Sequence, residues 1–125
     1  MRKEVLDWLN SAEDDLNTAK TLWREKVYYA SSFYSQQGAE KALKAAYILK
    51  FKKTYPQHNI STLASELGAP EEIISASKRL NPHYVQTRYP DAANAIPSDN
   101  YDKKIAEELL KESEKVFEWG SKQKE

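Results

Sequence analysis

FYSQQGAEKALKAAY, residues Phe33–Tyr47, is the stretch whose spacing decides the fold. Apolar side chains return every three or four positions, the signature of a helix rather than a strand. Extended outward, the pattern predicts one helix over Tyr28–Lys52. One stripe carries Tyr29, Phe33, Leu43 and Tyr47, and another carries Ala39, Ala42, Ala46 and Leu49. A helix apolar over more than half its circumference must be covered on several sides, and alanines let neighbours approach closely. This segment is therefore expected to be the central helix of a bundle.

Within that apolar surface stand two polar groups. At about 100° per residue, Gln36 and Glu40 project between Phe33, Leu43 and Tyr47. A buried polar group without a partner costs about 1–3 kcal/mol, and more when charged. Either a buried network satisfies them, for example Glu40 with an Arg or Tyr of another helix, or they line a pocket or a polar dimer seam. Gln37, Lys41 and Lys44 share the adjoining edge. They read as a solvated lysine edge or as a local cationic strip that receives phosphate.

The flanking segments supply the covering layers. Val5, Trp8, Ala12, Leu16, Ala19 and Trp23 define an amphipathic helix from Lys3 to Glu25. A short helix is predicted over Ser61–Leu67, with Gly68 as its stop. Pro70 then opens a helix at its first position, with Glu71 and Glu72 at the positive end. Ile73, Ser77 and Leu80 mark its inner face, and Pro82 ends or kinks it near Asn81. Residues 89–98 hold two prolines and read as a loop. The last helix starts after a Ser98 or Asp99 cap, faces inward with Ile105, Leu109, Val116 and Phe117, and leaves a frayed tail over 120–125. The fold class is all-α, an antiparallel up-and-down bundle of four to five helices in one domain, residues 1–125.

Bulk composition narrows the chemistry. The chain has 125 residues, with 19 basic and 19 acidic side chains, so no global basic field draws it to nucleic acid. Cysteine is absent, which removes disulfides, thiolate metal sites and cysteine nucleophiles. Two histidines without a paired-ligand spacing make a metal site unexpected. No cofactor is indicated. Apolar runs are too short for a membrane span, and the start of the sequence has no apolar signal-peptide core. A cytoplasmic protein is expected.

A second stretch, YVQTRYPD at Tyr84–Asp91, sets an Arg and two Tyr beside a proline. The residue before proline is pushed out of helix, so a helix should end near Arg88. Arg88 either caps that end or pairs with Glu40 or Asp91. Alternatively it grips a phosphate while Tyr84 or Tyr89 stacks on a base. His58 lies in the Pro56–Ser61 linker and reads as exposed or as a cap of the third helix. Four positions separate Arg79 from His83. Such a pair can cleave RNA without metal, with His moving the 2′-hydroxyl proton and Arg stabilising the phosphorane.

These stretches carry a resemblance. Trp8, Ala12-Glu13-Asp14-Asp15-Leu16 and Ala19 in the first helix, Phe33 through Ala45 in the second, His58 with Leu63, and Tyr84 with Thr87-Arg88-Tyr89-Pro90-Asp91 resemble the HEPN domain family. The resemblance implies a helical homodimer with a cleft near the dimer seam that meets nucleotide or RNA. It also implies a minimal nucleotidyltransferase as partner, in a toxin–antitoxin or defence setting. On this reading Glu40, Lys41, Lys44, Tyr84, Arg88 and Tyr89 form the binding site. Ribonuclease members carry Arg, four to six residues, then His. Here three residues lie between Arg79 and His83, Pro82 among them, so the pair departs from that signature. Tyr84 is the matching acceptor for AMP added by the partner enzyme. The alternatives to a binding module are a metal-independent endoribonuclease using Arg79 and His83, and a scaffold whose buried polar groups only set helix register.

Overall fold

The computed structural model describes residues 2–93 and 95–124. Its helices in chain order are α1 (Arg2–Arg24), α2 (Tyr28–Phe51), α3 (Ile60–Glu66), α4 (Glu71–Leu80), α5 (His83–Gln86), α6 (Pro90–Ala93) and α7 (Lys103–Ser121), with a 3-10 turn at Pro97–Asn100 before α7. The chain is all-helical among the described residues, and no helix there is long and apolar enough to cross a membrane. The long helices run up and down. Gly38 lies against Ala12 and Leu16, and Ser31 donates to the Ala19 carbonyl, so α1 and α2 are antiparallel. Ser113 meets Ser35 and Gly120 meets Ala42, so α7 runs parallel to α2, as the fourth rod of such a bundle must.

α2 is central. Ala39, Ala42, Leu43, Ala45, Ala46 and Ile48 are all buried, as are Ser31, Ser32, Ser35, Gln36 and Gly38. The Ser31 hydroxyl donates across to the Ala19 carbonyl of α1 and the Ser32 hydroxyl to the Tyr28 carbonyl one turn back, which lets serine sit where apolar bulk would hold the helices apart. Among the described residues two that are not glycine adopt left-handed backbone. Lys26 (φ 65) closes α1 and Lys52 (φ 59) closes α2. Leu43, Leu63, Ile73, Leu80 and Val116 build the main core where α2, α3, α4 and α7 meet, and Leu16, Ala19 and Leu110 build a second between α1 and α7.

The element boundaries show where local sequence lost to context. Gly68 stops the third helix at φ +72, in the left-handed region that suits glycine. Pro70 is the extended residue before α4 rather than its first helical residue. α7 is capped by Asp102, whose side chain accepts from the Ile105 amide at 2.8 Å, not by Ser98 or Asp99, which belong to the 3-10 turn. That cap turns Ile105 outward and sends Ala106, Leu109, Leu110, Ser113 and Val116 inward. Tyr29, placed on an apolar stripe of α2, is exposed at the hairpin end of the helix, one residue after α2 begins. The predicted loop 89–98 contains α6 and the start of the 3-10 turn, and Asn94 within it lies outside the described residues. The tail is held at Gln123, whose amide donates to the Trp119 carbonyl at 2.9 Å, while residue 125 lies outside the described residues.

Candidate functional site

Glu40 is the hub. Its carboxylate is 5 % exposed and both oxygens are occupied. Gln36, one turn earlier, donates to Oε1 at 3.1 Å. Lys44, one turn later, reaches Oε2 at 2.9 Å, and its ammonium also lies 5.5 Å from the centre of the Trp8 ring. Helical spacing thus sets an amide, a carboxylate and an ammonium in one row. The third donor comes from outside α2, where His58 Nδ1 lies 2.9 Å from Oε2. A carboxylate only accepts, so Nδ1 carries the hydrogen and Nε2 of the neutral ring is left as an acceptor.

His58 carries the site outward. Its ring stacks on Tyr84, with centroids 4.5 Å apart and planes inclined by 16°. The Arg88 guanidinium lies 5.1 Å from the centre of that same tyrosine ring, 5.7 Å from Phe33 and 5.4 Å from Tyr89. Among the described residues no carboxylate pairs with Arg88. Arg88 is exposed, and so is Tyr89. The contacts run in the order Lys44, Glu40, His58, Tyr84, Arg88, from a buried ion pair to an exposed guanidinium.

Of the residues singled out in the sequence, Glu40, Lys44, Tyr84, Arg88 and Tyr89 join this chain of contacts. Four assignments change. Lys44 is not on a solvated edge but buried against Glu40 and Trp8. Lys41 turns to α1, where it meets Asp15 and Ser11 at 2.8 Å each. The two lysines therefore form no cationic strip, because each is neutralised by a carboxylate. Glu40 is satisfied by Lys44 and His58, not by Arg88. His58 does not cap α3; Asn59 does, accepting from the Thr62 amide at 3.1 Å. The signal that pointed to His58 was only its place in the family-like linker, since a loop histidine gives no periodicity to read.

Arg79 and His83 lie apart from this chain but together. Both line a groove of about 330 Å³ between the α4–α5 corner and α7, with Ile105, Glu108, Leu109 and Glu112. Glu112 holds Arg79 through two nitrogens, Nε at 3.0 Å. Burial pushes the Glu112 carboxyl up, but its hydrogen bonds to Arg79 and Lys115 outweigh this and set it below the ordinary value. His83 Nδ1 meets the Tyr101 hydroxyl at 2.6 Å, and burial pushes the imidazole below its ordinary value. Burial likewise pushes the Tyr101 phenol up to about 12. Among the described residues no cluster of His, Asp and Glu is placed to hold a metal ion.

This arrangement has relatives. The chain is 32% identical over 124 residues to "Putative toxin MJ1304" of Methanocaldococcus jannaschii, covering 89% of this chain and 82% of that one. The crystal structure of TT1696 from Thermus thermophilus superposes with a TM-score of 0.89 at 31% identity, covering 94% of this chain and 96% of the other. ST0689, described as an archaeal HEPN homologue, superposes with a TM-score of 0.83 at 29% identity, covering 94% and 95%. The HEPN domain pattern itself runs over residues 5–124, from α1 to the tail beyond α7, and by that match the chain belongs to the HEPN domain family.

Proposed function

We propose that this HEPN protein is the toxin-type member of a two-component module and binds nucleotide or RNA at the Arg88 end of the site. One observation carries the reading. Arg88 is an exposed cation that lies over three aromatic rings and has no carboxylate partner among the described residues, whereas Lys41, Lys44 and Arg79 are each neutralised. A guanidinium so placed suits a phosphate, and the exposed Tyr89 beside it offers a face to a base. Tyr84 serves the site differently, because His58 already occupies one of its faces. Glu40, Lys44 and Lys41 act behind the surface, by fixing α2 and His58. The toxin part of the reading comes from the M. jannaschii relative's name. The homodimer and the minimal nucleotidyltransferase partner come from the family resemblance, with Tyr84 as the residue such a partner would modify.

The test is fluorescence anisotropy of a labelled single-stranded oligoribonucleotide, and of a labelled adenine nucleotide, at fixed salt. Arg88→Ala is expected to weaken binding about 10- to 100-fold, the worth of a charge-assisted hydrogen bond of about 1.5–3 kcal/mol. Lys41→Ala should change it far less. Equal affinity of wild type and Arg88→Ala would reject the site and leave the scaffold reading.

One observation favours a second reading. Arg79 and His83 line a single groove, as a metal-independent endoribonuclease would require. Its test is RNA cleavage in EDTA by wild type and by His83→Ala.

A further inference from the structure

The far end of α2 carries a cavity that the Arg88 site does not use. It holds about 280 Å³ and is walled by α1, α2 and α7, where the start of the first meets the ends of the other two. Val5, Leu6, Leu9, Ala45, Ala46 and Leu49 make its apolar lining. Its deep side is built from small residues, since Ala45 and Ala46 are buried and Gly120 brings no side chain. Leu6, 45 % exposed, carries the apolar lining out to solvent.

Charge at the rim has one sign. Arg2 and Lys52 line the cavity, and among the described residues no carboxylate does. The acidic residues of the same turns point elsewhere. Glu4 and Asp7 line a separate groove with Trp8, and Lys3 holds Asp7 at 2.7 Å. Glu118 lines the groove between α1 and α7 and pairs with Lys122 at 2.9 Å. The negative helix ends are covered as well. The Ile48 carbonyl accepts from the Lys52 amide, and the Leu49 carbonyl from the Lys52 ammonium at 2.9 Å. The Trp119 carbonyl accepts from the Gln123 side chain at 2.9 Å. Arg2 is exposed and makes no ion pair among the described residues.

An apolar hollow beside an unpaired guanidinium suits a molecule with an apolar chain and an anionic head. Volume selects within that class, because 280 Å³ lies just under the roughly 300–1,000 Å³ of sites that enclose drug-sized ligands. One unbranched chain suits that space better than a two-chain lipid. We infer that the cavity binds a medium-chain fatty acid, with its chain against Leu6, Leu9 and Leu49 and its carboxylate on Arg2. Lys52 adds positive charge beside the head group. The cavity meets α2 at Ala45, whereas the Arg88 guanidinium meets it at Phe33. That separation is about 18 Å along the axis at about 1.5 Å per residue. The fatty-acid site therefore stands or falls without the RNA site.

The experiment titrates the methyl-labelled full chain with hexanoate, octanoate and decanoate below their micelle concentrations and follows methyl shifts by NMR. Saturable shifts of Val5, Leu6, Leu9 and Leu49 are expected. Each pair of added methylenes should tighten binding about 10-fold, at about 0.8 kcal/mol per methylene. Arg2→Glu should weaken octanoate about 10-fold, the worth of a charge-assisted hydrogen bond, and octanol should bind wild type about that much more weakly than octanoate does. Leu6→Ser should weaken the whole series. Both positions are exposed, and an unchanged amide spectrum would verify that the two variants fold. Absence of shifts, equal affinity for octanoate and octanol, or affinity that ignores chain length would overturn the inference. Shifts centred on Val85 and Ile96 instead of the cavity would do the same. So would binding to vesicles of anionic phospholipid without binding of monomeric octanoate, since that marks a surface contact and not an enclosed site.

Discussion

Removing the Glu40 carboxylate strands a buried ammonium, since Lys44 is 8 % exposed and has Glu40 as its ion-pair partner. Glu40→Ala is expected to lose about 3–5 kcal/mol, the cost of leaving half of a buried pair. Replacing both members, Glu40→Met with Lys44→Met, should lose much less, because desolvation of the charges disappears with them. Urea unfolding of the two variants measures the difference. By contrast, Arg79→Ala should cost under about 1 kcal/mol, because Arg79 is 56 % exposed and solvent screens its pair with Glu112. Two further residues set a pH window. Burial holds His83 below its ordinary 6.5, so the unfolded chain takes up a proton there more readily than the folded one. Its contribution to stability is complete above pH 6.5 and fades as the pH falls beneath that value. Burial raises Tyr101 from 10.0 to about 12, so its contribution is complete below pH 10 and is lost as the pH climbs toward 12. His83→Gln should therefore flatten the acid side of a plot of urea midpoint against pH and leave the alkaline side in place.

At the scale of the helix, Gly120 governs how closely α7 approaches α2. A Cβ at this position would stand 3.0 Å from the Ala42 carbonyl oxygen and 3.2 Å from its carbon. Those are backbone atoms of a helix enclosed on several sides and cannot step aside. Alanine gains about 1 kcal/mol of helix propensity over glycine, against about 1–3 kcal/mol for overpacking. Gly120→Ala is expected to destabilise by about 1 kcal/mol, read as a lower urea midpoint with an unchanged slope. Such close approach was legible in advance, since the Ala39, Ala42 and Ala46 stripe announced it and a helical period survives any context. The bounds of α1 and α2 are legible to within a residue for that reason, whereas α7 starts three or four residues beyond the predicted cap, after Asp102. Ile105 and Tyr29 were misassigned because periodicity fixes a relative phase, while the cap at Asp102 and the turn at Lys26 fix the absolute one. The site was half legible. Glu40 betrayed itself as a charge on an apolar face, and Arg88 as a cation before Tyr-Pro. His58 left no trace in any period, because a linker residue meets its partners only after the chain has closed on itself.

Across the whole molecule, burial is uneven. α5 buries no residue, and between Asn81 and Asn100 only Thr87 is buried among the residues whose burial is described. Val85, Tyr89 and Ile96 expose apolar surface there. Amides of residues 83–100 are expected to exchange with deuterium well before those of α1, α2 and α7, because few buried contacts hold that stretch closed. Mass-resolved exchange measures this, and protection of 83–100 equal to that of α2 would contradict it. Bound oligoribonucleotide should slow exchange at Tyr84, Arg88 and Tyr89 first. The enclosure of α2 then has a mechanical consequence. Glu40 stands on a rod clamped along its length, whereas His58, Tyr84 and Arg88 stand on short pieces of chain around it. One jaw of the site is an anvil, and movement between the two falls to the other.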